Sequence, residues 1–169
     1  MSQNEIYLGN PNLKKANTPV EFSKENVEEY LRCKNDPVYF AKNYVKIVSL
    51  DEGLVPFNMY DFQEKLIRNF HEQRFNICKM PRQTGKSTTC VAFLLHYAVF
   101  NDSVNIGILA NKAATARELL GRLQTAYENL PKWMQQGILS WNKGSMELEN
   151  GSKILAASTS ASAVRGMSF

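Results

Sequence analysis

The order of the elements along this 169-residue chain predicts an α/β fold, with a parallel sheet flanked by helices and a small helical subdomain in front of it. Residues 75–80 are a plausible strand, the apolar run 104–110 has the length of a buried parallel strand, and a helix-length segment follows each. The first 50 residues instead contain two helix-start patterns. The composition, 44% hydrophobic and 21% charged, suits a chain that builds a core.

The N-terminal part predicts an arm and then helices. Residues 1–17 are polar and rich in Asn, which predicts a flexible arm. Thr18 and Asp36 each precede a proline, and this pattern predicts the caps of two helices. Gly53 and Pro56 interrupt the stretch 49–58, so that it reads as a loop. Together these patterns predict a helical subdomain over residues 18–58.

Residues 59–169 predict the core of the fold. Apolar periodicity distinguishes its helices from its strands, and Asn150-Gly151 is typical of a two-residue hairpin turn. In chain order, the pattern predicts a helix from Asp61, a strand at 75–80, a buried helix over 90–100, a parallel strand at 104–110, an amphipathic helix from Asn111 to Pro131, and short strands at 137–141, 145–149 and 153–157.

Composition excludes some functional classes. No apolar run reaches about 18 residues, so we expect no membrane partner. The N-terminus lacks the basic and apolar regions of a secretion signal, and three cysteines without metal-ligand spacing favour a reducing cytoplasm. A net charge of +4 permits an anionic partner but does not indicate one.

The turn at 80–88 carries the strongest chemical signal. Gly85 allows the backbone to approach an anion closely, and a helix start at this point adds its positive dipole end. Lys86 can reach the outer phosphates of a nucleotide, and the Ser87 hydroxyl can bind Mg²⁺. Met80 stands where the standard phosphate loop has its first glycine, so this loop is a variant.

Residues 82–87 (RQTGKS) resemble the variant Walker A loop of the large terminase subunits of tailed phages, in which an arginine stands in the loop and the leading glycine is often lost. The resemblance covers about residues 36–169 and is closest to the T4-like branch. Further similar segments, in the same order and spacing, are 36–40 (DPVYF), 60–63 (YDFQ), 107–112 (GILANK), 141–145 (WNKGS) and 164–169 (VRGMSF).

This resemblance implies a P-loop NTPase fold of the ASCE/RecA-like kind, with residues 59–169 as a partial ATPase core. It implies an ATP-driven motor that packages double-stranded DNA into proheads, with ATP and Mg²⁺ as cofactors. The implied partners are double-stranded DNA, the portal protein, the small terminase subunit and further copies in a ring. The implied location is the host cell cytoplasm, with transient docking on the viral prohead.

The resemblance also implies roles for residues. Lys86 and Arg82 are the implied catalytic residues, which hold the β- and γ-phosphates and stabilise charge on the transferring group. Ser87 is the implied Mg²⁺ ligand, and Arg165 either senses nucleotide or lies at a surface between subunits. Gln63 either reads an adenine edge or is a polar residue at a helix start, and Tyr60 either stacks on the base or is a core aromatic. The implied nucleotide-binding set is Tyr60, Gln63, Pro81, Arg82, Gln83, Thr84, Gly85, Lys86, Ser87 and Thr88.

Large terminases have a Walker B strand ending in Asp-Glu soon after the Arg-Gly segment, whereas this sequence ends at Phe169. We therefore expect a truncated core that binds ATP weakly and is nearly inactive as an ATPase by itself. Apolar surface left uncovered by missing strands predicts self-association. Two alternatives remain open, namely a fragment of a helicase-like P-loop translocase and a stand-alone nucleotide-binding module.

Overall fold

A computed structural model of the chain describes residues 5–49 and 51–159. These residues form five helices and eight strands. In chain order the elements are β1 (Ile6–Tyr7), β2 (Asn10–Lys14), α1 (Lys24–Asn35), α2 (Pro37–Tyr44), β3 (Lys46–Ser49), β4 (Gly53–Pro56), α3 (Asp61–Glu72), α4 (Lys86–Phe100), β5 (Asn105–Ala110), α5 (Ala113–Glu128), β6 (Ile138–Trp141), β7 (Ser145–Leu148) and β8 (Lys153–Ser158).

The largest sheet is mixed, with the strand order β5-β8-β7-β6. Strands β5 and β8 are parallel, whereas β8 with β7 and β7 with β6 are antiparallel. The α/β class is confirmed, and the prediction of a parallel sheet is correct for one of these pairs. The reason is local, because the tight turn at Asn150-Gly151 allows only an antiparallel return, and a parallel pair needs a crossover. Gly151 has a φ of 83°, as the predicted hairpin turn requires.

Helix α4 is central to the core, as its apolar sequence predicts. It packs against α2, α3 and α5, and Leu95 and Ala98 are completely buried. Helix α5 covers the parallel pair β5 and β8. This position of α4 matters for the candidate site, because the helix begins at Lys86, within the 80–88 segment.

The N-terminal segment differs from the predicted flexible arm. Strands β1 and β2 form a hairpin, and Leu13 is buried. Lys14 is also buried, with its ammonium 3.3 Å from a Glu149 carboxylate oxygen and its backbone N–H bonded to the Gln135 side chain. Polar composition predicted mobility because it does not reveal partners that lie more than 100 residues away in sequence.

Two predicted boundaries in the helical subdomain also change. The first helix begins at Lys24 rather than after Thr18, because the Ser23 hydroxyl caps it by accepting from the Asn26 N–H. Asp36 caps α2 as predicted, accepting from two backbone N–H groups. The stretch predicted as a loop at 49–58 instead contributes to the antiparallel hairpin β3–β4.

The segment 75–80 is not the strand that its pattern predicts. It makes no strand pairing within the described residues, and Phe75 and Ile77 are 84% and 100% exposed. A strand is stable only where neighbouring backbone accepts and donates its hydrogen bonds. Here no described strand lies in position to do so.

Candidate phosphate-binding loop

The 80–88 loop bends into α4 through two residues with left-handed backbone. Gly85, the N-cap of α4, has a φ of 74°, and Gln83 has a φ of 62°. A Cβ added to Gly85 would lie 2.4 Å from the Gln63 side-chain nitrogen. The left-handed backbone therefore favours glycine at position 85, and a larger residue there would also have to displace the Gln63 amide.

The Lys86 ammonium links the end of the loop to its start by hydrogen bonds. It donates to the carbonyl of Met80 at 3.2 Å and also to the carbonyl of Pro81. The Thr84 hydroxyl donates to the same Pro81 carbonyl at 3.1 Å. Because an ionised phosphate oxygen is a stronger partner for an ammonium than a neutral carbonyl is, Lys86 is positioned to exchange these contacts for an anion.

Backbone donors gather at the start of α4. The N–H groups of Lys86, Ser87 and Thr88 have no acceptor within the helix, as in any first helical turn. The next residue, Thr89, bonds through both its N–H and its hydroxyl to the Gly85 carbonyl, at 2.9 and 3.0 Å. The free donors and the helix dipole together favour a bound anion here.

Ser87 and Arg82 are exposed and can reach a ligand from opposite ends of the loop sequence. Arg82 makes no ion pair among the residues that the structure describes. No group of three or more His, Cys, Asp or Glu side chains that could hold a metal occurs in the described ranges. A Mg²⁺ ion at this loop would thus take the Ser87 hydroxyl as its protein ligand and complete its shell with phosphate oxygens and water.

Gln63, predicted near the base, lies against the loop. Its side chain is buried, and its amide nitrogen donates to the Thr84 carbonyl at 3.2 Å. Its amide oxygen accepts from the backbone N–H of Tyr60 at 3.0 Å. The Tyr60 ring is 68% exposed and stacks on Phe62, with 5.7 Å between the ring centroids. The structure thus brings Gln63 to the loop and leaves Tyr60 on the surface.

The remaining predicted residues divide into two groups. Pro81 and Gln83 form the exposed outer part of the loop, and Thr88 lines a cavity of about 740 Å³ between α4, α5 and β3. Arg165, the possible sensor, lies outside the described residues. The contact between Gln63 and Thr84 was not predicted, and its signal in the sequence is a glutamine three residues after the helix cap.

One titratable group beside the loop, the Cys90 thiol, is neutral. Burial raises the pKa of the half-buried Cys90 thiol on the second turn of α4, so that it stays protonated near neutral pH. The positive charge at the loop therefore comes from Lys86, Arg82 and the helix end. Elsewhere, none of the described helices has the length and apolar character that a membrane crossing requires.

Comparison with known protein families gives a match over the loop, α4 and the sheet. Residues 77–169, more than half of the chain, match the family described as "Terminase large subunit, T4likevirus-type, N-terminal". The match begins just before the loop and includes all strands of the mixed sheet. It thus covers the part of the molecule in which the candidate site is built.

Proposed function

The chain belongs to the N-terminal family of T4-like terminase large subunits, the proteins of phage DNA packaging, and we propose that its 80–88 loop binds the triphosphate of ATP as part of the ATP-driven packaging motor. The observation that carries this proposal is the geometry at the start of α4. There Gly85 has a left-handed backbone, the Lys86 ammonium donates to the Met80 carbonyl, and the first N–H groups of α4 have no acceptor within the helix.

The proposed roles follow from the chemistry of each side chain. Lys86 holds the β- and γ-phosphates, and the exposed Ser87 hydroxyl ligates Mg²⁺. Arg82 is free of ion pairs in the described ranges, so it can turn towards charge that develops on the transferring phosphoryl group. When bound, the Mg²⁺ ion neutralises phosphate charge, while these residues position the triphosphate.

Turnover is proposed to need more than this chain. The family resemblance implies that a Walker B Asp-Glu pair supplies the second metal contact and orients the attacking water. The adjacent acids Asp51 and Glu52, which follow an apolar run, lie instead in the exposed turn between β3 and β4. We therefore expect ATP binding with negligible hydrolysis, because positioned acid-base groups contribute about 10² to 10⁴ in rate.

In the complete motor, the proposed partners are double-stranded DNA, the portal, the small terminase subunit and further copies in a ring. DNA contact would be made to phosphates and depend little on sequence. The family match favours this terminase role over a helicase-like translocase or a stand-alone nucleotide module. The loop geometry alone is compatible with all three.

Calorimetric titration with Mg-ATP tests the proposal. We expect Lys86→Ala to weaken ATP binding by about 10- to 100-fold, because a charge-assisted hydrogen bond is worth roughly 1.5–3 kcal/mol. Lys79→Ala is the matched control, since Lys79 is an exposed lysine just before the loop. An equal loss in both variants, or no binding by the unmodified chain at millimolar ATP, would contradict loop-specific binding.

A further inference from the structure

The two edges of the mixed sheet are protected to different degrees. At the β6 edge the register shifts between Ile138 and Ser140, and residues 15–16 lie alongside, with the Ala16 N–H donating to the Ile138 carbonyl at 3.3 Å. At the opposite edge, β5 pairs in an unbroken register with β8 and has no strand on its other side within the described residues. In this part of the chain, β5 is therefore the open edge of the sheet.

The pairing with β8 shows which backbone groups face the open edge. The carbonyls of Val104 and Ala110 accept hydrogen bonds from N–H groups of β8 and of the residue that follows it, so these even-numbered residues face β8. Because the hydrogen-bonding direction alternates along a strand, the N–H and C=O groups of Gly107 and Leu109 face the other side. These groups have no backbone partner among the residues that the structure describes.

Strand β5 has none of the features that usually discourage pairing at a sheet edge. Its sequence, Asn105–Ala110, contains no charged residue and no proline, and its register with β8 has no bulge. Beside it lies an apolar groove against α4, lined by Phe93, Leu94 and Tyr97. Tyr97 and Leu109 are 41% and 45% exposed. A strand added here would gain both backbone hydrogen bonds and apolar contacts.

We propose that this open edge is a self-association surface, at which β5 of one copy pairs antiparallel with β5 of a second copy across a two-fold axis. When Gly107 lies opposite Gly107 or Leu109 of the second copy, the unpaired backbone groups of the two strands meet. In the same registers, Ile108 lies opposite Ile106 or Ile108 of the second copy, so that the faces covered by α5 continue across the axis.

A second copy is the occupant that the charges and the side-chain pattern favour. The edge and the groove carry no charge that would select an acidic or a basic partner, whereas every copy carries the matching uncharged strand. Pairing across a two-fold axis joins two four-stranded sheets into one and leaves neither β5 edge open. This inference does not depend on nucleotide binding, because it concerns the sheet edge and not the 80–88 loop.

Sedimentation velocity from micromolar to millimolar protein tests the proposal with a matched pair of variants. We expect the unmodified chain to form dimers, with a dissociation constant that rises about 10- to 100-fold in Leu109→Lys, because an edge lysine keeps its ammonium in water and opposes strand addition. Leu139→Lys is the control, since Leu139 is 50% exposed and lies on β6, the protected edge. A chain that stays monomeric throughout, or an equal loss of association in both variants, would overturn the proposal.

Hydrogen exchange identifies the associating strand without any substitution. We expect the amides of Gly107 and Leu109 to exchange more slowly as protein concentration rises, whereas the amides of residues 75–80 should not change. Dimers without this protection would show that another surface associates, and protection of 75–80 instead would show that this segment is exchanged between copies. Either result would overturn the proposal, and this measurement also decides the question if Leu109→Lys fails to fold.

Discussion

Two segments that were both predicted to be strands, 75–80 and 104–110, differ in the structure, because only the second pairs with another strand. Residues Asn105–Ala110 form β5, which pairs in parallel with all six residues of β8 and buries Ile106 and Ile108 against α5. Residues 75–80 remain without a strand partner in the described ranges, and Ile77 is fully exposed. The β-branched and aromatic composition of the two segments does not separate them.

The difference shows that a segment forms a β-strand only where a neighbouring strand is in position to exchange backbone hydrogen bonds with it. The stretch 104–110 has a partner because the tight turn at Asn150-Gly151 returns β8 along β7, within reach of β5. For residues 75–80, no described strand lies close enough to pair with them. The groove between α4 and the free side of β5, about 380 Å³ in volume, is lined by Phe93, Leu94 and Tyr97 and remains open.

The largest expected effect is on stability. We predict that Ile108→Ala lowers the free energy of unfolding by about 2–5 kcal/mol, because it leaves a cavity in the core. Ile77→Ala, the same substitution in the exposed segment, is predicted to change it by less than about 0.5 kcal/mol. Urea unfolding of both variants measures the two values. Similar losses would mean that 75–80 is packed in solution and that the contrast between the segments is false.

The second prediction concerns the pKa of His96, a buried residue of α4, a helix that packs against the core on one side and borders the open groove on another. Burial lowers the pKa of His96 to about 4, and the nearby His71 also lowers it, against the opposing effect of the hydrogen bond with the Cys33 carbonyl. Because Nε2 faces that carbonyl, the proton is gained at Nδ1, which is buried and lacks a partner within the described residues. Protonation in the folded state is therefore unfavourable.

Since the pKa is lower in the folded state than in the unfolded state, the His96 contribution to stability is complete above pH 6.5 and is lost as the pH falls towards 4. The loss should reach about 3 kcal/mol. We expect His96→Gln to unfold with a shallower pH dependence in this window than the unmodified chain, in urea titrations at several pH values. His71→Gln should keep most of the slope, because burial rather than the exposed His71 is the main cause of the lowered pKa of His96. An unchanged slope in His96→Gln would contradict the prediction.

The smallest expected effect is a difference in thiol reactivity, which compares the exposed 75–80 segment directly with the buried core. Cys78 lies in the exposed 75–80 segment, whereas Cys33 is fully buried and its burial raises the pKa of the thiol to about 12. We predict that a disulfide reagent at pH 8 labels Cys78 rapidly and Cys33 only after unfolding, because the thiolate is the reactive form. Cys78→Ser should remove the fast phase. A slow Cys78 would show that its segment is covered.

Much of the fold could be predicted from local signals. The Asp36 cap, the apolar helix α4, the strand β5 and the hairpin turn at Asn150-Gly151 each depend on chemistry within a few residues, and each is present as expected. The N-terminal hairpin and the start of α1 were not predicted, because Lys14 depends on Glu149 and because Ser23 competes with Thr18 as a cap. For the site, the sequence indicated Gly85, Lys86 and Ser87 from their spacing alone.

By itself, the sequence determined which residues form the candidate loop and the family to which the chain belongs, because glycine, lysine and serine beside a helix start are local features. Only the tertiary structure decided which apolar segment is a strand and which atom Gln63 contacts. Both depend on hydrogen bonds between residues that are distant in sequence. Such bonds form only where the fold brings donor and acceptor to within about 3 Å of each other.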